Sequence, residues 1–162
     1  NVTLVQGDGA GFASRIGGAG RIRIASNLPY GDWQRIVLAI LAAPQEIVSC
    51  TLMIQEDVFE RLRAKPGTRA YGPLAAIVQA TCELKKVRRA GKGLFLPVPR
   101  VESVVFDLRR PAPVPDAAAL ERRLRELFAH RRKKSAAAGG RRVETLEPRE
   151  LLALSRAPLT NV

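Results

Sequence analysis

The tetrapeptide Asn27-Leu28-Pro29-Tyr30 carries groups that suit chemistry on a planar base. It directly follows a strand predicted over residues 21–25, and ligands of doubly wound sheets bind outside the carboxyl ends of strands. The Asn amide, backbone carbonyls and the Tyr ring could hold a heterocycle with an exocyclic amine. Carbonyl acceptors on both amine hydrogens would favour attack of the lone pair on a methyl group. Taken alone, the tetrapeptide is equally compatible with a strand-ending turn.

A second candidate residue is Phe95, which lies in the Pro-rich stretch LFLPVPRVES at residues 94–103. The prolines stiffen this loop, and the loop leads into a predicted strand. A rigid loop that presents one ring opposite another would hold an extruded base between the two rings. Phe95 could instead be an ordinary core residue.

The elements that would position these residues alternate between strands and helices, which is typical of an α/β fold with a parallel sheet. Helical spacing of apolar residues predicts a helix over 33–43, and an apolar run predicts a strand covered on both faces over 47–54. Strands over 84–87 and 104–108 are expected to form an antiparallel hairpin at one sheet edge. The remaining predicted elements are a strand at 2–6 and helices at 56–63, 72–83, 116–130 and 148–155.

Positive charge is concentrated in the second half of the chain, which has 162 residues and a formal net charge of +12. Residues 1–84 carry eight basic and seven acidic side chains, whereas residues 85–162 carry nineteen and eight. This distribution predicts a polyanionic partner for the second half. The PAPVP sequence at 111–115 is interpreted as a linker between a first domain (1–110) and a small basic helical domain (116–162).

The cysteine and histidine content argues against a metal site or a disulfide. Cys50 and Cys82 lie in apolar segments without CxxC spacing, so we expect buried reduced thiols in a reducing, cytoplasmic compartment. His130 is the only histidine, which argues against a multi-His metal centre and a His-based triad. No apolar run approaches the length of a membrane span, and no membrane association is expected.

Six motifs in order resemble those of the KsgA/Erm family of ribosomal RNA adenine N6-dimethyltransferases. The resemblance covers residues 1 to 135 and is greater to the KsgA branch, which dimethylates two adjacent adenines near the 3′ end of small-subunit rRNA. It implies a Rossmann-like class I methyltransferase sheet, S-adenosyl-L-methionine as cofactor, ribosomal RNA of the small subunit as partner, and a monomer. The motifs are Gln6-Gly7-Asp8, Asn27-Leu28-Pro29-Tyr30, the stretches 53–58 and 71–74, the stretch 95–103, and His130-Arg131-Arg132-Lys133-Lys134.

The resemblance implies a role for each candidate of the catalytic site. Asn27 would lie beside both the methionine end of the cofactor and the target amine. Leu28 and Pro29 would contribute backbone carbonyls. Tyr30 and Phe95 would be the two faces of a clamp on the target base.

The same resemblance implies that Asp8 accepts a hydrogen bond from the adenine amine of the cofactor. Without the resemblance, Asp8 is better interpreted as an acid in a turn after a strand. The chain departs from the family pattern at Gly31-Asp32-Trp33 and at residues 135–140. Asp32 would place a negative charge near the RNA, and Trp33 is either a stacking surface or a core residue. Target choice by the tail is therefore left open.

Two elements of such a cofactor site are not found in the sequence: a Gly-rich turn after a first strand, and an acid that holds the ribose hydroxyls. Gly17-Gly18-Ala19-Gly20 precedes a strand, so it is interpreted as a flexible turn. We expect both elements upstream of Asn1, and we expect the 162-residue chain alone to be inactive.

Basic residues beside the Phe95 loop and after the linker predict a surface that binds RNA phosphates. Such contacts set affinity and salt dependence rather than base choice. A charge run can equally be a solvated face. The predicted contacts are Lys85, Lys86, Arg88, Arg89, Lys92, Arg131, Arg132, Lys133 and Lys134.

Two other functions stay open at this point. One is a catalytically inactive RNA-binding factor in ribosome assembly or transcription on the same fold, which Gly31-Asp32-Trp33 would suit. The other is a DNA adenine methyltransferase, which the Phe95 loop and the basic tail disfavour. The joint presence of Asn27, Tyr30 and Phe95 favours the enzyme, because a pure binder needs no base clamp.

Overall fold

A mixed four-stranded sheet is the centre of the structure, a computed structural model that describes residues 2–15, 20–44 and 46–157. Alternating apolar positions in each inner strand give the sheet one buried face, as the strand period of two requires. The strands are β1 (Arg21–Asn27), β2 (Glu46–Gln55), β3 (Glu83–Ala90) and β4 (Ser103–Arg109).

The strand order is β1-β2-β4-β3. β1 and β2 are parallel, whereas β4 is antiparallel to both β2 and β3. The predicted parallel crossover and the predicted antiparallel hairpin at one edge are both confirmed. The helices are α1 (Phe12–Arg15), α2 (Trp33–Ala42), α3 (Glu56–Leu62), α4 (Pro73–Thr81), α5 (Ala117–Ala129) and α6 (Pro148–Arg156).

The two faces of the sheet differ in burial. Cys50, Leu52 and Ile54 of β2 are buried, as are Phe106 and Leu108 of β4, and this face belongs to the core cluster that the helices complete. The alternate residues of β2 are half-buried or exposed. The expectation that β2 is covered on both faces is therefore wrong within the described residues, because apolar content alone does not reveal what packs on the second face.

The strand predicted over residues 2–6 is also wrong. This segment joins no strand of the sheet, and Val2 and Leu4 are 89% and 95% exposed. A strand needs a neighbour for its backbone groups, and here the carbonyl of Gln6 instead accepts a 2.8 Å bond from Arg15 Nη1. The predicted flexible turn at 17–20 lies, except for Gly20, outside the described residues.

The C-terminal helices pack on the same core as the sheet. Both α5 and α6 contact α4, and Leu124 and Leu151 are fully buried in the one core cluster. The linker is fixed to the end of α2, where the carbonyl of Leu41 accepts bonds from Val114 N (2.8 Å) and from the buried Arg110 Nη1 (2.7 Å). The division into two domains at 111–115 stays a prediction.

Candidate active site

Two of the predicted functional segments meet at one edge of the sheet. Asn27, the last residue of β1, is paired with Met53 near the end of β2. Ser103, the first residue of β4, is paired with both Gln55 and Ala90, the last residues of β2 and β3. The turn formed by residues 27–30, called the NLPY turn below, therefore lies at the same sheet edge as the Phe95 loop (residues 91–102). Two strand spacings, about 10 Å, separate β1 from β4.

The NLPY turn is anchored by one residue and open at the others. The Leu28 amide donates a 2.9 Å hydrogen bond to the Met53 carbonyl, and the Leu28 side chain is buried. Asn27, Pro29 and Tyr30 are exposed, with 55% of Tyr30 accessible. The turn thus presents an amide and an aromatic ring to solvent on a fixed backbone.

Asp8 begins a 3-10 turn at Gly9–Gly11, and this turn packs against α2. Since α2 begins three residues after Tyr30, Asp8 lies near the NLPY turn. The Asp8 carboxylate accepts one hydrogen bond from Ala10 N at 2.9 Å and another from Arg35 Nη2 at 2.7 Å. These two bonds lower the pKa of Asp8 below its ordinary value, and the bond from the Ala10 amide has the larger effect. Asp8 is thus a capping turn acid in this structure, and its contact with a cofactor stays a prediction.

Arg35 is a residue that sequence reasoning missed. Besides Asp8, its guanidinium contacts Asp32 at 3.5 Å, so the negative charge expected from Asp32 near the RNA is partly compensated. The sequence does contain a signal for this ion pair, because Arg35 follows Asp32 by three positions at the start of a predicted helix. Trp33, the other residue of the divergent segment, is 8% exposed and belongs to the core rather than to a stacking surface.

The Phe95 loop exposes apolar side chains around a half-buried ring. Phe95 is of intermediate exposure, while Leu94 and Leu96 are 69% and 98% exposed. In the described part of the chain, no ring contact joins Phe95 to Tyr30. The two rings are therefore separate surfaces at one edge, and their action as a clamp stays a prediction.

The predicted RNA-binding residues of β3 divide between the two faces of the sheet. Lys86 and Arg89 are paired with Phe106 and Val104 and share the face of the helices, where both bind Glu56 at the start of α3. Both cations lower the pKa of Glu56 below its ordinary value, and Arg89 has the larger effect. In this structure both cations are therefore paired with a carboxylate of the protein, although 62% of the Arg89 side chain is still exposed, and their contact with RNA stays a prediction.

The other β3 cations point away from this network. Lys85 is paired with Asp107 and Arg88 with Val105, so both belong to the face opposite the helices. Lys85, Arg88 and Lys92 are exposed. Their contact with RNA stays a prediction.

The tail cluster also divides into one structural residue and three exposed ones. Arg131 donates to Glu144 Oε2 (2.8 Å) and to three carbonyls, those of Thr68, Arg69 and Tyr71. Only 24% of its side chain is exposed, so Arg131 holds the tail to the loop before α4, which argues against its predicted RNA contact. The other three cations of this cluster, Arg132, Lys133 and Lys134, are exposed and form no ion pair with a described residue.

The described residues contain neither a group of three or more potential metal ligands nor a helix long and apolar enough to cross a membrane. Both cysteines are free thiols, and Cys50 is buried, whereas Cys82 is only half-buried, so the expectation of buried thiols is confirmed for Cys50 alone. Burial raises the pKa of Cys50 to about 12, so this thiol stays protonated at neutral pH.

Comparison with known sequences identifies relatives for most of the chain. The family model for ribosomal RNA adenine dimethylase matches residues 3–145. A protein named ribosomal RNA small subunit methyltransferase A from Lactobacillus delbrueckii subsp. bulgaricus is 37% identical over 115 residues, 69% of this chain and 39% of that protein. Proteins of the same name from Chlorobaculum parvum and Pseudomonas aeruginosa are each 35% identical, covering 82% and 81% of this chain. This chain spans 49% and 51% of their lengths, about half.

Solved structures show the same fold. A dimethyladenosine transferase from Plasmodium falciparum superposes with a TM-score of 0.66 at 18% identity, over 83% of this chain and 66% of that one. The 23S rRNA methyltransferase ErmE superposes with a TM-score of 0.52 at 26% identity, over 89% and 68%. The α/β methyltransferase fold is therefore confirmed, and with the family model matching most of the chain, the protein belongs to the ribosomal RNA adenine dimethylase family.

Proposed function

We propose that the protein containing this chain transfers methyl groups from S-adenosyl-L-methionine to the N6 amine of adenines in small-subunit ribosomal RNA. The observation that carries the proposal is the meeting of the NLPY turn and the Phe95 loop at the carboxyl edge of the sheet. The family match and the names of the relatives support the same reaction. As a step of ribosome biogenesis, the reaction would be carried out by a monomer in the cytoplasm.

The residues of this chain would bind and orient the target adenine. Two of three nearby oxygens, the Asn27 amide oxygen and the backbone carbonyls of Leu28 and Pro29, would accept the two hydrogens of the exocyclic amine. Tyr30 and Phe95 would stack on the base, which contributes about 1–3 kcal/mol per base. Fixing the amine in this position lowers the entropic part of the barrier.

The cofactor would supply an electrophilic methyl group bound to a sulfonium sulfur. The amine would take up this methyl group and release one proton to solvent while the NLPY turn holds it in place. The Asp8 carboxylate fits the adenine amine of the cofactor, because its low pKa keeps it an acceptor and two bonds leave lone pairs free.

Methyl transfer by the Asn27→Ala variant of the full-length protein tests this function. We expect kcat to fall at least about a hundredfold, the order seen when a preorganised polar contact to the reacting centre is removed. The matched control is Ser26→Ala, because Ser26 is the neighbouring residue on the opposite side of the strand and is half-buried. A wild-type rate in Asn27→Ala, or equal losses in both variants, would contradict the assignment of the NLPY turn.

A further inference from the structure

A carboxylate bridges the base of the Phe95 loop. Glu102 Oε2 accepts a 2.9 Å hydrogen bond from the backbone amide of Lys92, ten residues earlier. This bond adds a side-chain contact inside the loop to the strand pairing of Ala90 with Ser103, which brings the two ends of the loop together. A compact loop of this length with its ends in contact has the form of an Ω-loop.

The same residue joins the loop to the rigid part of the fold. The Glu102 carbonyl accepts a 3.0 Å bond from the amide of Glu56, the first residue of α3. The Glu56 carboxylate in turn binds Arg89 of β3. Glu102 therefore connects the loop to a helix whose first residue is already fixed to the neighbouring strand.

Phe95 lies close to this closure. A turn of 3-10 helix (Lys92–Leu94) starts at the amide that donates to Glu102, and the Phe95 amide bonds back to the Lys92 carbonyl at 3.3 Å. Phe95 is only three positions after Lys92 in the sequence. The surrounding Leu94 and Leu96 are mostly exposed, so little side-chain packing holds the loop in place.

We propose that Glu102 is a positioning residue that fixes the Phe95 ring for stacking on the target base, through its hydrogen bond to the Lys92 amide. The inference rests on the proposed function, because it assigns to Phe95 the stacking role described above. A carboxylate that accepts from a backbone amide makes a stronger bond than a neutral acceptor. Removing it loosens the segment around Lys92, because the exposed Leu94 and Leu96 contribute little packing there.

Two variants of the full-length protein separate positioning from simple loss of stability. Glu102→Ala removes the acceptor, whereas Glu102→Gln keeps an acceptor oxygen without the charge. We expect kcat for methyl transfer to fall about tenfold in Glu102→Ala, the effect of removing one hydrogen bond to a charged group. The KM for RNA should change less than twofold, and Glu102→Gln should recover much of the rate. Glu60→Ala, which removes an exposed carboxylate of α3 away from the loop, is the matched control.

Amide hydrogen exchange of residues 91–96 gives a readout that does not depend on activity. The Lys92 amide should exchange faster in Glu102→Ala than in wild type, with Glu102→Gln intermediate and Glu60→Ala unchanged. Unchanged exchange and unchanged kcat in Glu102→Ala would overturn the inference. If Phe95→Ala lowers kcat while Glu102→Ala does not, positioning fails and the proposed function stands. If neither variant lowers kcat, the role of Phe95 in the proposed function fails as well.

Discussion

Arg89 binds Glu56 with two nitrogens, Nε at 3.1 Å from Oε1 and Nη2 at 2.5 Å from Oε2. Lys86 contacts the same carboxylate at 3.1 Å. Two of the five predicted RNA-binding cations around β3 are therefore bound within the protein. The net charge of a segment does not distinguish such cations from free ones.

Replacing both Lys86 and Arg89 with Ala should lower the free energy of unfolding only slightly, because the two ion pairs that the variant lacks are exposed to solvent. The dependence of RNA affinity on salt should hardly change. Urea denaturation and RNA titrations at several salt concentrations measure the two effects.

The matched variant replaces Lys85 and Arg88, which lie on the other face of the same strand. Here the log-log salt slope should fall by roughly 0.7 for each phosphate of single-stranded RNA that the protein no longer neutralises, with little change in stability. A larger slope change in the Lys86 and Arg89 variant than in this one would reverse the assignment.

Arg131→Ala should destabilise the protein by about 2 kcal/mol, because the guanidinium makes several hydrogen bonds to Glu144 and to backbone carbonyls. Arg132→Ala changes an exposed neighbour and should leave stability within about 0.5 kcal/mol. Chemical denaturation of the two variants gives the comparison. Equal stabilities would show that the Arg131 contacts contribute nothing measurable.

Most of the fold could be predicted because its signals are local. The helix over 33–43 follows from the spacing of five apolar residues, and all five are buried in α2. The hairpin of β3 and β4 follows from two short predicted strands that flank a Gly/Pro-rich loop. The strand predicted at 2–6 failed because a strand depends on a partner, and short apolar alternation does not reveal whether one is present.

The site could be predicted only in part, for a similar reason. Motif order located the NLPY turn and the Phe95 loop, and strand pairing then placed them at one edge. The contacts of Arg35, Glu102 and Arg131 join residues that are 27, 10 and up to 63 positions apart. Pairings of that kind depend on the folded arrangement and leave no spacing pattern in a single sequence.

Replacement of either predicted clamp residue, Tyr30→Ala or Phe95→Ala, should lower methyl transfer in the full-length protein with little effect on total RNA affinity. Stacking on one base contributes about 1–3 kcal/mol, whereas phosphate contacts dominate binding of the bulk of the RNA. Single-turnover rates and filter binding measure the two quantities. A parallel decrease in RNA binding would place these rings at a different contact.

Stability should fall at alkaline pH because of Cys50. Its pKa is raised by burial from 9.0 to about 12, so above pH 9 the unfolded chain loses this proton and the folded chain keeps it. The free energy of unfolding then decreases with rising pH, by at most about 1.4 kcal/mol per unit for one group. Urea denaturation between pH 8 and 10 should show a shallower decline in Cys50→Ala than in wild type. Identical slopes would mean that the thiol ionises in the folded state.

The 162-residue chain alone should not bind S-adenosyl-L-methionine tightly. Among the described residues, Asp8 and Asn27 are the predicted contacts, and none of the predicted contacts would hold the ribose. Isothermal titration of the purified chain with the cofactor tests this. One-to-one binding at low micromolar concentration would show that the chain contains a glycine turn and a ribose ligand that the sequence interpretation missed.

Helix α2 sets the distance between the NLPY turn at its first end and the linker to the basic tail at its other end. The helix begins beside the NLPY turn, and its last carbonyls hold Arg110 and the linker residue Val114. Ten helical residues span about 15 Å, so the NLPY turn and the start of the basic tail are held a constant length apart. Inserting one residue into α2 would rotate one end relative to the other by about 100°. If the NLPY turn binds an adenine as proposed, the length of α2 would set how far along the RNA the predicted contacts of the tail lie.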